Sequence, residues 1–471
     1  MKGPGFFEAS HGVKVLHLSG SPYDMGFQHG ALLARRIVDL IPRALDATIG
    51  VIAKTPGMPY DAARKLLLRG KEAARPHIPP VCLEEMQGIT DGINSKDPGR
   101  MHLDDIILYN TMYDQWCLYA HPHPSPPFKS ETPIKQSSDQ TSGVNRPGSA
   151  GCSSFSAWGK AVKGEMLIFG KNMDNLNLPG ILDNRILVFA RPDKGIGHAF
   201  VTHPGMIGID GGLNAAGITM MTHYNAFADE TMEGCGIGVL SRLLLSRSQS
   251  LDQAIRILKD YPHCTGIAFH VADARKQAAA IVNASATQVQ VRYPLTDQDV
   301  LFTSNHTNCY PGWYGYNGYN MVKDQKIVYA LGDVSTADAW QKSLRDPQNV
   351  WVPAPSRFER YEQLMEEHYG NITPETAMNI LSDRYDPYTE KTRPKHEPST
   401  SNNLLATICA LYPDDVYYKD EPSKTFSAHV ANLWSMVSTP ESGDFWLAIE
   451  GFPAQYGGYE HFNLNQEFEK E

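Results

Sequence analysis

The chain of 471 residues has no excess of positive charge. Its 42 lysines and arginines stand against 52 aspartates and glutamates, for a net charge of −10, which excludes the basic surface that displaces counterions from a nucleic-acid backbone. No segment approaches the roughly 20 uninterrupted apolar residues that cross a bilayer. The opening stretch MKGPGFFEASHGVKVLHLSG breaks its apolar residues with Glu8, His11 and Lys14, so it lacks the apolar core of a secretory signal. Cysteine is scarce, and the seven residues at 82, 117, 152, 235, 264, 309 and 409 form no C-x-x-C pair, which argues against a structural zinc site. An odd, scattered set suits free thiols in a reducing compartment better than a disulfide framework. These absences predict a cytoplasmic protein with no membrane or nucleic-acid partner. No internal repeat is present, and GCGIGVL around Gly236 lacks the Lys-Ser/Thr ending of a phosphate loop. Three N-x-S/T triplets, at Asn283, Asn305 and Asn371, carry no meaning without a secretory signal.

What the chain does have is an ordinary globular composition, 42% apolar and 20% charged, at a length that implies one large or two coupled domains. After an alternating strand pattern in VKVLHLSG, the first 120 residues show helical periodicity. Ser21, Pro22 and Asp24 provide an N-cap, a first-turn proline and an acid at the positive end of the dipole for a helix through YDMGFQHGALLARRIVDLI. Further helices are predicted in YDAARKLLLRGKEAAR, PVCLEEMQGITDGI and HLDDIILYNTMYDQWCLY. Residues 121–150 are rich in proline and serine and nearly devoid of apolar residues, the composition of an exposed linker. From Cys152 the texture changes to strands and hairpins. Two helices interrupt them after Gly236, the second behind the capping box Ser250 to Gln253. Another pair covers RFERYEQLMEEHY and the stretch behind Thr373 and Pro374, and HVANLWSMVST with DFWLAIEGF closes the chain as a hairpin. Strand clusters separated by helices predict an α+β fold with layered antiparallel sheets.

The run GSAGCSSFSAW, Gly148 to Trp158, ends the linker on a glycine and a cysteine. A hairpin from Ser153 to Met173 centres on Val162–Lys163–Gly164 and places Cys152, Lys171 and Asp174 at its open end. A thiol, an ammonium and a carboxylate then share one site, where the cation favours thiolate and the acid can hold an amine. Position alone reads Cys152 as a small buried apolar residue, but Gly151 before it changes the reading. Scission between Gly151 and Cys152 would leave a thiol and a free α-amine on one residue, and an α-amine of pKa about 7.7–8.0 serves as general base near neutrality. Glycine leaves its carbonyl open to attack by the Cys152 sulfur and tolerates strain. Arg357 also stands out: a cation in a first helical turn, behind Ser356 and Glu359 as a capping box, opposes the dipole and calls for a compensating acid or a site role.

The motifs GSPYDMGFQHG, LEEMQGITDGI, GCSSFSAW, GKNMDN, GGLNAAGI, FTSNH, SRFERY and LWSMVSTPESGDFWLAIEGFP, in this order, resemble those of the acyl-CoA:isopenicillin N acyltransferase-like family (penicillin acyltransferase, peptidase C45) of N-terminal nucleophile hydrolases, relatives of the conjugated bile salt hydrolases. The resemblance implies a four-layer αββα sandwich made as an inactive precursor. Residues 1–151 would become a helical small subunit and residues 152–471 the catalytic domain, the two associating non-covalently. It implies that Cys152 cuts its own bond to Gly151 and then acts as nucleophile, that Asp174 orients its amine, that Asn214 donates to the oxyanion, and that Asn305 and Arg357 complete the pocket. Lys171 stands where bile salt hydrolases carry arginine, keeping the charge without the bidentate fork. A turn residue and a strand-end cap are the competing readings of Asn214 and Asn305. The implied reaction cleaves a linear amide through an acyl-enzyme, with water or an amine as acceptor and an acyl-amide or acyl-CoA as substrate, and needs no metal or organic cofactor. Ester, thioester or lipid hydrolysis on the same scaffold, and an unprocessed binding protein, are the alternatives. His29 reads as a helix-packing histidine; His306 and the tyrosine-rich stretch from Cys309 offer a weaker Cys–His pair and a substrate-facing loop.

Overall fold

The computed structural model describes residues 5–54, 58–119, 152–164, 166–176, 182–208, 210–225, 229–294, 299–305, 322–323, 326–327, 355–387, 389–395, 397, 400–401, 404–405, 407–414 and 428–470. The expected linker 121–150, Gly151, His306 and the tyrosine-rich stretch lie outside them.

Two sheets form the centre. The first has nine strands in the order β1 (Phe6–Ser10), β2 (Val13–Gly20), β5 (Ile186–Pro192), β6 (His198–Thr202), β7 (Gly211–Asn214), β8 (Ile218–Tyr224), β9 (Ile267–Asp273), β10 (Ala278–Ala284) and β11 (Val289–Arg292). The second runs β12 (Val300–Thr303), β3 (Cys152–Ala157), β4 (Ile168–Leu176), β14 (Ala428–Thr439), β15 (Asp444–Ala448) and β16 (Glu460–Asn463), with β13 (Leu411–Asp414) also paired to β14. Pairing is antiparallel except between β2 and β5. Their facing surfaces meet through Phe169 of β4 and His270 of β9, whose rings lie 4.6 Å apart.

Helices cover both outer faces. Against the nine-stranded sheet lie α5 (Ile237–Arg247) and α6 (Leu251–Asp260), and against the other α7 (Pro355–His368) and α8 (Pro374–Leu381). A short α9 (Leu464–Glu469) ends the described chain. The fold is therefore the αββα sandwich that the resemblance implies.

The N-terminal helices α1 (Pro22–Lys54), α2 (Tyr60–Ala74), α3 (Pro80–Asn94) and α4 (Leu103–Tyr119) add to the layer beside α5. The Ser21 cap is present: Asp24 N–H donates to Ser21 Oγ at 3.1 Å and Ser21 N–H to Asp24 Oδ2 at 3.1 Å. Helix α1 runs past its expected end, through Pro42, with a kink at Leu33. It meets α3 backbone to backbone. A Cβ on Gly26 would fall 2.0 Å from Glu85 O and one on Gly30 2.1 Å from Ile89 O; on Gly88 and Gly92 it would fall 2.2 Å from Tyr23 O and Phe27 O. The two quoted helical motifs are therefore a pair of Gly-x-x-x-Gly spacings that let two helices touch.

Buried polar links then tie this layer to the rest. Arg242 Nη2 of α5 meets Glu85 Oε2 of α3 at 3.0 Å. Asp114 Oδ1 of α4 accepts from Ile237 N–H at 3.0 Å and caps α5, so the place read as a failed phosphate loop already holds a carboxylate. His29 Nε2 accepts from Gly205 N–H at 2.9 Å, consistent with a packing histidine. Burial disfavours the charged ring and pushes the imidazole pKa down to about 4.

Candidate active site

Strands β3 and β4 pair with Cys152 opposite Met173, one residue short of the expected partner, so Asp174 lies just past Cys152 at the same end of the ladder. Side chains alternate across the strand. On β3, Cys152, Ser154 and Ser156 face the other sheet, while Ser153 faces α7, where Tyr361 Oη donates to its Oγ at 3.0 Å. On β12, the register Thr303 to Ser154 carries the chain on to Asn305 beside Cys152.

Two side chains, Asn305 and Arg357, bond the Cys152 backbone, and Asp174 and Asn432 stand behind them. The Cys152 N–H donates to Asn305 Oδ1, and Asn305 Nδ2 is held by Tyr224 O at 2.9 Å. Arg357 spans the site: Nη1 donates to Cys152 O at 3.2 Å and to Asp174 Oδ2 at 3.1 Å, and Nη2 donates to Asn305 Oδ1 at 3.1 Å. Asn432 Nδ2 of β14 donates to Asp174 Oδ1 at 2.9 Å. The helix begins at Pro355, so Ser356 lies inside its first turn and is not the N-cap expected from the sequence. Arg357 does sit in that turn, with Asp174 as the compensating acid.

The thiol points between the sheets. Its Sγ lies 3.5 Å from Met173 Sδ. Cys152 is 1% exposed. Burial pushes its pKa up to about 12, and the nearby Lys171 cation only partly opposes this. Lys171 Nζ donates to Asp210 O at 3.0 Å and Thr222 O at 3.2 Å and stands 5.0 Å from the Trp434 ring centroid. Burial lowers its pKa. Asp174 and Asp210, both buried, are each pushed up to about 6. Arg357 and Asn432 hold Asp174 down, and Lys171 and Thr222 hold Asp210 down.

Asn214 is not part of this group. Its Nδ2 donates to Leu245 O and Ser248 O, each at 2.9 Å, and its Oδ1 accepts from Ala216 N–H at 3.0 Å and Ile218 N–H at 3.1 Å. Both amide hydrogens are engaged in tying β7 to the end of α5, which leaves none for an oxyanion. The structure thus places Asn214 apart from the Cys152 group, against the expectation that it donates to the oxyanion. Asn305 is not a cap on its own strand: its carbonyl accepts from Cys152 N–H and one of its amide hydrogens goes to Tyr224 O.

Three site residues carried no clear sequence signal: Asp210, Asn432 and Asn225. Asn225 is 1% exposed and follows Tyr224, which holds Asn305. Its Nδ2 makes one long contact, 3.5 Å to Asn283 Oδ1, and its Oδ1 accepts no hydrogen bond. Its place, directly after the apolar strand β8, was the available hint.

Among the described residues, Glu8, His17 and Glu467 bring three possible metal-ligand atoms together. Lys470 Nζ already lies 2.9 Å from both carboxylates, and β1 and β2 belong to the sheet opposite Cys152. No described helix is long and apolar enough to cross a membrane.

Residues 161–448 match the family described as acyl-coenzyme A:6-aminopenicillanic acid acyl-transferase; the match begins after Cys152 and spans Lys171, Asp174, Asn305 and Arg357. An uncharacterized protein of Archaeoglobus fulgidus is 26% identical over 462 residues, covering 94% of this chain and 71% of its own. Among solved structures, a variant of the conjugated bile acid hydrolase from Clostridium perfringens aligns with 67% of this chain and 93% of its own, at 13% identity and a TM-score of 0.38. The Caenorhabditis elegans ortholog of N-acylethanolamine-hydrolyzing acid amidase aligns with 61% and 93%, at 13% identity and a TM-score of 0.36.

Proposed function

The chain belongs to the acyl-coenzyme A:6-aminopenicillanic acid acyl-transferase family, and from that premise we propose that it is a self-processing cysteine N-terminal nucleophile enzyme that cleaves a linear amide. One observation carries the reading. The nitrogen of Cys152 is held by the carbonyl of Asn305, itself fixed by Arg357, beside Asp174. That nitrogen is the atom that becomes the free α-amine when the Gly151–Cys152 bond is cut.

In the unbroken chain burial holds the thiol proton, so attack of the Cys152 sulfur on the Gly151 carbonyl is a slow, single-turnover event. Scission supplies the missing base. The new amine, oriented by Asn305, removes the thiol proton as sulfur attacks the substrate carbonyl. Arg357 keeps the Cys152 carbonyl and Asp174 in place, and the Lys171 cation favours the thiolate. With Asn214 engaged elsewhere, Asn225 becomes the amide proposed to donate to the oxyanion. The amine half of the substrate leaves with a proton, and water or a second amine releases the acyl group from sulfur.

Cleavage need not part the two pieces. Glu85 to Arg242, Asp114 to Ile237 and His29 to Gly205 each join residues before 151 to residues after 152, which supports a non-covalent pair of chains.

The test is a panel of N-acyl-7-amino-4-methylcoumarin amides of graded chain length, each paired with the 4-nitrophenyl ester of the same acid. Turnover of the amides by the wild type and its loss, about 10⁴-fold, in Cys152→Ala is expected. Turnover of esters alone would favour the esterase alternative, and amide turnover surviving in Cys152→Ala would exclude this nucleophile.

A further inference from the structure

The face of β3 that carries Cys152 continues with two serines where an inter-sheet surface ordinarily carries apolar residues. Ser154 Oγ lies 2.7 Å from His223 Nε2 on β8 and 2.8 Å from His270 Nδ1 on β9, and Ser156 Oγ lies 2.9 Å from His270 Nε2. All four side chains are fully buried. The proposed reaction assigns none of them a task. The His223 ring also lies against the backbone of Cys152 itself.

Proton counting constrains this chain. A serine hydroxyl has one hydrogen, so Ser154 donates to one imidazole and accepts from the other. His270, when neutral, has one N–H while both of its nitrogens meet serines. The bonds must therefore all run in one sense or all in the other, which couples the tautomers of the two rings. A second proton on His270 would break that order, and one on His223 would fix its sense. Burial opposes either, as do the cations Lys171 and Arg357 near His223 and Arg292 near His270. Apolar contact between sheets is non-directional and lets strands shift by fractions of an ångström, whereas directed bonds to two neighbouring strands locate β3 along both of its axes.

We propose that Ser154, His223 and His270 are positioning residues for the nucleophile: their hydrogen bonds lock β3 against β8 and β9 and so set where Cys152 Sγ stands between the sheets. The inference rests on the reading of Cys152 as nucleophile. Misplacing a reacting atom slightly lowers the rate once substrate is bound and leaves binding nearly intact, which distinguishes positioning from general support.

The experiment uses the full processed chain and the coumarin amide turned over fastest by the wild type. Ser154→Ala, which removes one hydroxyl and leaves buried ring nitrogens unpaired, is expected to lower kcat about tenfold, with KM within about twofold and a modestly lower melting temperature. Ser154→Thr and His223→Gln, which keep a hydroxyl and a side-chain N–H, are expected to recover most of the rate, and His223→Phe is not. Iodoacetamide labelling of Cys152, followed by mass spectrometry, should slow in step with kcat. His263→Gln is the control, since that buried ring bonds Leu258 O at 2.6 Å, remote from β3. Wild-type kcat in Ser154→Ala with native melting would overturn the proposal, as would a defect confined to stability. Turnover persisting in Cys152→Ala would instead overturn the functional reading, so the two failures are told apart.

Discussion

The contact between α1 and α3 and the open end of β3 and β4 are both buried, yet they are built in opposite ways. In the first, Gly26, Gly30, Gly88 and Gly92 remove side chains so that two backbones touch. In the second, the fully buried side chains of Lys171, Asp174, Arg357 and Asn432 crowd charge and amide groups together. The first gains stability from close packing. The second loses some to desolvation and recovers it through paired hydrogen bonds. Conspicuous motifs in one chain can therefore serve different ends. GSPYDMGFQHG and LEEMQGITDGI shape a helix crossing, whereas GCSSFSAW, GKNMDN and SRFERY assemble charges around one cysteine.

Substitutions at the two regions should separate these roles. The largest effect is expected for Arg357→Leu, which leaves Asp174 buried without its closest cation and should cost about 3–5 kcal/mol in urea unfolding. Adding Asp174→Asn should restore part of that loss. Next, Asn225→Ala should lower kcat about 10²-fold in the coumarin assay at unchanged stability, while Asn214→Ala should weaken folding and spare the rate per folded molecule. At the helix crossing, Gly26→Ala or Gly88→Ala should cost about 1–3 kcal/mol by forcing the helices apart, read as a lower melting temperature with kcat unaffected. Equal losses of kcat in the glycine variants would erase the distinction.

The smallest effect concerns pH. His29 has a folded pKa of about 4, below the ordinary value of about 6.5, so the unfolded chain takes up the proton first. Its stabilising contribution is complete above about pH 6.5 and fades as pH falls toward 4. Between pH 7 and pH 6 the loss should be under about 1 kcal/mol, and His29→Gln should show a shallower decline in melting temperature over that interval. The proposed activity should show a separate acid limit in a kcat–pH profile, because burial raises the Asp174 pKa to about 6.

Much of the site was legible because its parts obey local rules. The hairpin midpoint placed Cys152 near Asp174, missing only a one-residue offset that follows from the connection, where Gly159–Ala161 form a 3₁₀ turn and Val162 bridges to Ile372. Arg357 in a first turn signalled an acid partner, and Asp174 is that partner. Asn214 misled because GGLNAAGI is a turn whose asparagine satisfies its own backbone. The amide better placed for chemistry lies at the far end of the next strand. Asn432 could not be foreseen, since a bulge between Asn432 and Trp434 shifts the β14 register and no periodicity encodes a bulge. Asp210 was hidden by its left-handed backbone, at φ 54°, which local pattern does not announce in a non-glycine residue. The stretch expected to be helical ends at Ile41, whereas α1 continues through Pro42 to Lys54.

The most direct measurement is denaturing mass spectrometry of protein that turns over an amide. Two chains are predicted, the second beginning Cys-Ser-Ser-Phe at Cys152. A single unbroken chain of 471 residues in active material would contradict the proposal that the Cys152 amine is the catalytic base.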